Sequence, residues 1–167
     1  MNKIIIGGKV NRNDNGALTN IDIDKMLKKV KTYNGCFSID NIPRIKKIGS
    51  YIINTKKNND YTVGHWVYLW VGKDCSIYMD SYGASPPDEI FVGIKMPLYF
   101  NNEQYQDMNS SWCGNFCLCC AKIMNSPSYG KSDKIKMLNF TFLLSPKNLK
   151  QNKNTINRIS ENLSINN

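Results

Sequence analysis

The segment Tyr61 to Val71, YTVGHWVYLWV, is apolar on both of its alternating faces. A strand with one wet face alternates apolar and polar residues, whereas a run that is apolar on both must be covered on both, as in the centre of a sheet. Cys75 to Asp80 follows almost at once as a second strand. Gly72-Lys73 suits a two-residue hairpin loop, because glycine in the first loop position permits the positive φ of a type II′ turn. With that loop Val71 faces Asp74, Leu69 faces Ser76, Val67 faces Tyr78 and His65 faces Asp80. Directly opposed residues share a face, with Cβ atoms about 4.5 to 5.5 Å apart. The only histidine of the chain is therefore expected beside a carboxylate. A three-residue loop would move the partner to Ser81.

The other elements can be read around this pair. Residues 19 to 31 place Ile23, Leu27 and Val30 on one helical stripe, with Asn20 or Asp22 as N-cap. Gly35 to Asp40 and Gly49 to Asn54 read as short strands, and Lys56 to Asp60 as an exposed loop. After Asp80 a Gly/Pro turn leads to a short helix with Ser85 as N-cap and Pro86 or Pro87 in its first turn. Pro97 to Phe100 is a further strand. Cys113 to Met124, CGNFCLCCAKIM, is apolar nearly all round and predicts a helix buried at the centre, capped by Asn109, Ser110 or Ser111. Ser132 opens a helix over Asp133 to Phe142. Ser145-Pro146 starts a polar final helix carrying Leu149, Ile156 and Ile159, with ENLSINN fraying at its end. The 167 residues fit one domain, with mobile segments at 1–18 and 160–167.

No apolar run approaches the roughly 18 residues of a membrane span, and MNKIIIGG lacks the apolar core of a secretory signal. The expected setting is intracellular and reducing, so the six cysteines are read as buried thiols, metal ligands or nucleophiles rather than disulfides. A net charge of +9 favours acidic partners, nucleic acid among them, without identifying a function.

Cys113 stands out because a sulfur at a helix start lies where unpaired N–H groups and the positive end of the macrodipole stabilise a thiolate. Taken alone it is one more small apolar residue beside Cys117, Cys119 and Cys120. A lone histidine on an apolar strand is likewise more often a hydrogen-bonded core residue. Together they mean more: a carboxylate at Asp80 would fix the His65 tautomer and leave the other ring nitrogen to act on a thiol. Gln106, seven residues before Cys113 in a polar loop, offers an amide that could join the Cys113 backbone N–H in stabilising an oxyanion, worth ~3 to 4 kcal/mol of barrier.

Gly64-His65-Trp66, Asp80-Ser81-Tyr82-Gly83, and Gln106 followed by Cys113-Gly114 resemble the His, Asp/Glu, Gln, Cys-Gly signature of the adenovirus protease (adenain) family, in the clan of the SUMO-deconjugating proteases. GCFSIDNIP, YIINTK, DSYGASPPDEI, YFNNEQYQDMNSSWCGNFCL and NFTFLLSPKN resemble the capsid-maturation proteases of virophages and Polinton-type elements, over roughly residues 19 to 160. The resemblance implies an α+β, permuted papain-like fold with a central Cys-bearing helix packed on a small mixed sheet. It implies Cys113 as nucleophile, His65 as general base and acid, Asp80 as orienting acid and Gln106 as oxyanion donor, with Trp66 packed near the site. Gln104 is a rival for the oxyanion role at a less fitting spacing. The implied function is a cysteine endopeptidase that cleaves viral capsid precursors during virion maturation at Gly-Gly or Gly-X-Gly sites. It would act as a monomer in the virion and the cytoplasmic viral factory, with no membrane partner, metal or cofactor, and with DNA or an activating peptide as possible effectors.

Ile5-Ile6-Gly7-Gly8 fits that cleavage preference, and self-cleavage after Gly8 competes there with the favoured reading of a short strand ending in a glycine turn. Other classes fit less well. Cys117, Cys119 and Cys120 lack the CxxC spacing of structural zinc sites. The Lys/Asn-rich stretches 25–31, 44–47 and 147–158 could contact phosphates, as in a basic nucleic-acid-binding virion protein, but no recognised motif accompanies them. A deconjugating protease for a ubiquitin-like protein would share the Gly-Gly preference.

Overall fold

The two-faced apolar run becomes β3 (Trp66–Val71), buried along its whole length in the middle of a five-stranded sheet. The computed structural model describes residues 17–43, 45, 47–59, 64–92, 94 and 96–165, the side chains of 162–165 excepted. Residues 61–63 of the expected strand, the Ile5 to Gly8 segment and the last two residues lie outside that set. β2 (Gly49–Asn54), with the bounds expected, and β4 (Ser76–Met79) flank β3 as antiparallel neighbours. β1 (Tyr33–Ser38) joins β2 in parallel, and β5 (Leu98–Phe100) joins β4 in parallel. The sheet is thus mixed and runs in chain order. With four helices beside it, the chain is of mixed α+β class.

Alternation along β3 sorts the core into two layers. Trp66, Tyr68 and Trp70 face α2 (Cys113–Asn125), packing with Phe116, Cys117 and Cys120. Val67, Leu69 and Val71 face the other way, onto Tyr78, Ile39 and Ile90, the last two carried by short 3-10 turns at Ile39–Asn41 and Asp88–Phe91. Burying each large apolar side chain is worth roughly 1.5 to 3 kcal/mol, which is why a strand apolar on both faces ends up covered on both. α2 is itself enclosed, by β3 on one side and by α1 (Asn20–Leu27), α3 (Asp133–Phe142) and α4 (Leu149–Ile165) on the others.

The hairpin differs from the expected one. Val71 pairs with Ser76 rather than Asp74, so the loop has four residues, Gly72 to Cys75, closed by the Gly72 N–H donating to the Cys75 carbonyl at 2.9 Å. Gly72 does not have the positive φ of the type II′ reading. It is glycine for space: a Cβ there would sit 2.5 Å from an Asp133 carboxylate oxygen, which accepts from Trp70 Nε1 at 2.7 Å. The pairing moves by two residues. Side-chain direction has a period of two, so the facing set is preserved while each partner is displaced.

Helix starts differ too. α1 is capped by Thr19, in a capping box whose N3 member is Asp22. α2 begins after Trp112 with no side-chain cap there, so neither Asn109 nor the serines fill that position. The 3-10 turn after Asp80 follows Pro87 without a side-chain cap, not Ser85. α4 starts at Leu149, not at Pro146; Asn148 Oδ1 accepts the Gln151 N–H there at 3.1 Å, and the helix backbone is helical through Ile165. Ser132 does cap α3, accepting from the Ile135 N–H.

Candidate active site

His65 lies just before β3 and Asp80 just after β4, so the two sit at the same end of the central hairpin. The shifted register would set His65 against Tyr82 rather than Asp80, and the two rings indeed stack, with centroids 4.1 Å apart and planes 19° from parallel. Asp80, displaced by two residues on the same side, still reaches the imidazole: Oδ1 is 2.7 Å from Nε2. A carboxylate only accepts, so Nε2 carries the hydrogen and Nδ1 is the nitrogen left for chemistry. Nδ1 is buried and makes no hydrogen bond among the described residues.

Cys113 is the first residue of α2, fully buried, with its sulfur in the first turn where backbone N–H groups lack intrahelical partners. No hydrogen bond joins its sulfur to the His65 ring among the described residues, but the two side chains interact electrostatically. Burial works against a charged imidazolium, yet the interaction with Asp80 and then with Cys113 lifts the His65 pKa from 6.5 to about 9. Three of the expected residues are therefore assembled: acid, imidazole and sulfur. Gly114 lies in tight packing, since a Cβ there would stand 3.0 Å from Leu18 and 3.4 Å from the Trp66 ring. Trp66 is fully buried beside this turn, its Nε1 donating to the Leu18 carbonyl at 3.0 Å.

Gln106 is the fourth. It is fully buried, its Oε1 accepting from Ser81 Oγ at 2.7 Å and its Nε2 donating at 3.2 Å to the carbonyl of Ser110, three residues before the sulfur. Gln104 Nε2 donates to the Gln106 carbonyl at 2.8 Å and so braces the loop that carries it.

Residues that the spacing did not single out complete the frame. Asp80 Oδ1 also accepts the Tyr82 N–H at 2.7 Å, and Oδ2 lies 3.5 Å from Tyr78 Oη. Asn101 is buried and clamps the Asp80 backbone from both sides, Oδ1 accepting its N–H at 2.9 Å and Nδ2 donating to its carbonyl at 2.6 Å. Tyr82 Oη donates to the Ser110 carbonyl at 3.3 Å; burial, with Cys113 and Asp80 nearby, pushes its hydroxyl up to about 12. Gly83 turns the chain with φ +75°, and a Cβ there would meet the Glu103 backbone at 2.7 Å. The Asp80 to Gly83 turn was visible in the sequence as a motif; Asn101, distant along the chain, carried no signal.

The remaining cysteines are free thiols. Among the described residues no group of three or more His, Cys, Asp or Glu side chains is gathered so as to hold a metal, and no helix is long and apolar enough to cross a membrane. In comparisons with known proteins, no family model and no curated protein matches the chain.

Proposed function

We propose that this chain is a cysteine endopeptidase of the adenain type, with a permuted papain-like arrangement of its α+β fold, acting on viral capsid precursor proteins at Gly-Gly or Gly-X-Gly sites. The observation that carries the reading is the single histidine, bonded through Nε2 to Asp80 at 2.7 Å, in a chain whose Cys113 opens α2; interaction with both neighbours raises its pKa to about 9. An imidazole that holds its proton to that pH stabilises a neighbouring thiolate.

In the proposed reaction the Cys113 sulfur attacks the scissile carbonyl carbon, a C–S bond forms, and the carbonyl oxygen takes the negative charge. The Gln106 amide and the Cys113 backbone N–H donate to that oxygen. As the intermediate collapses, the C–N bond breaks and His65 passes its Nδ1 proton to the leaving amine. Water then attacks the thioester, His65 takes its proton, and the carboxylic acid leaves with the sulfur restored. Asp80 keeps the ring oriented throughout. The chain's own residues supply every group in this scheme, and DNA or a peptide would act only as an effector.

The test is incubation with capsid precursors of the cognate virus, and with a ubiquitin-like protein precursor in parallel. Wild type is expected to fragment the capsid proteins and Cys113→Ala to leave them whole. Equal fragmentation by both, or none by either, contradicts the proposal; cleavage of the ubiquitin-like precursor alone replaces the substrate.

A further inference from the structure

Side-chain amides work as oxyanion donors only if the nitrogen, not the oxygen, faces the reacting carbonyl. At Gln106 two contacts decide this. The Ser110 carbonyl has no hydrogen to give, so the group facing it at 3.2 Å must be Nε2. Oε1 then faces Ser81 Oγ at 2.7 Å, and the serine must donate. One Nε2 hydrogen is used on Ser110, and the amide has a second to donate. The backbone repeats the tie: the Ser81 carbonyl accepts the N–H of Tyr105 at 2.8 Å and of Gln106 at 3.0 Å. Ser81 is fully buried and adjacent in sequence to Asp80. A single turn thus carries the acid that orients the imidazole and the hydroxyl that orients the amide.

We propose that Ser81 is a positioning residue that sets the orientation of the Gln106 amide and so prepares the oxyanion donor before substrate arrives. This rests on the peptidase reading above and extends it to a residue whose side chain need not touch substrate. Without the hydroxyl, Oε1 loses its partner in a buried place, and the terminal amide torsion, which is broad and has no sharp preferred angle, is free to turn.

The test is steady-state hydrolysis of a Gly-Gly peptide by wild type, Ser81→Ala, Gln106→Ala and the double variant, beside the rate at which iodoacetamide alkylates Cys113, a reaction that forms no oxyanion. Removing a direct donor costs about 10² to 10³ in kcat, so loss of its clamp should cost about 10-fold to 50-fold. KM and the alkylation rate should stay within about 2-fold, and Ser81→Ala should change kcat less than about 3-fold once Gln106 is already alanine. If Ser81→Ala does not fold, Ser81→Cys, a weaker donor of similar size, takes its place with a smaller expected loss. An active wild type with kcat unchanged in the Ser81 variant overturns this inference alone. So does a full multiplicative loss in the double variant, or alkylation falling in step with kcat. A wild type that hydrolyses nothing overturns the peptidase reading and this inference with it.

Discussion

Helix α2 carries four cysteines in its first eight residues, all buried, yet the first differs from the other three in its neighbours. Burial raises the Cys117 and Cys120 thiols well above their ordinary range and pushes Cys119 up to about 12, since the apolar core offers a thiolate nothing in exchange for water. Cys36 and Cys75, outside the helix, are raised by burial as well. Cys113 sits at the helix start, against a histidine with its own carboxylate. The contrast teaches that burial alone makes a cysteine inert. On the proposed reading, a partner that shares the charge is what distinguishes a nucleophile, and His65 stands at that end of the helix.

Removing each sulfur in turn tests this most sharply. Cys113→Ala should lower peptide hydrolysis by about 10⁵-fold or more, the scale of losing a covalent nucleophile. Cys117→Ala, Cys119→Ala and Cys120→Ala should keep kcat within a few-fold and cost stability on the order of 1 kcal/mol by urea unfolding. A large activity loss in any of those three with the fold intact would dissolve the contrast.

Next in size is the orienting acid. Asp80→Asn should reduce kcat by about 10² to 10⁴ by spoiling the tautomer and the charge balance of His65, with little change in KM. Alkylation offers a view free of any substrate. Limiting iodoacetamide near pH 7 should label Cys113 first, as read by peptide mass mapping, and His65→Ala should slow that labelling by about 10-fold to 100-fold while leaving the other thiols as unreactive as before.

The smallest expected effect concerns support at a distance. Asn152 on α4 is buried, donating from Nδ2 to the Tyr105 carbonyl at 3.0 Å and to the Ser145 carbonyl at 2.8 Å, while its Oδ1 accepts the Ser145 N–H. It ties α4 to the loop that carries Gln106. Asn152→Ala should destabilise the protein by about 1 to 3 kcal/mol, because buried carbonyls lose their donor, and lower kcat less than about 10-fold.

Local pattern carried the reading where local physics decides. The bounds of β2, the Ser132 cap of α3 and the two-faced burial of β3 all follow from short-range residue types. The hairpin loop failed because Gly72 is required by the approach of Asp133, some sixty residues away in the chain, and not by its own φ. The His65 to Asp80 contact survived that error because a two-residue displacement keeps side chains on the same side. Thr19 won the α1 cap over Asn20 because Asp22, at the third helical position, could close the reciprocal pair with it. Asn101, Ser81 and Tyr82 act through partners distant in sequence, and spacing carries no trace of such contacts.

A chain with one histidine allows the central claim to be measured on a single resonance. Titration of the His65 ring by NMR in wild type, Cys113→Ala and Asp80→Asn reports whether sulfur and carboxylate both act on it. The account predicts a midpoint near pH 9 in wild type, lower in each variant, because each loses one of the groups that favour the imidazolium against burial. Since the folded value exceeds the ordinary 6.5, this ring's contribution to stability should be full below that pH and fade as pH rises through 9. A wild-type midpoint near 6.5 that neither substitution moves would contradict the account.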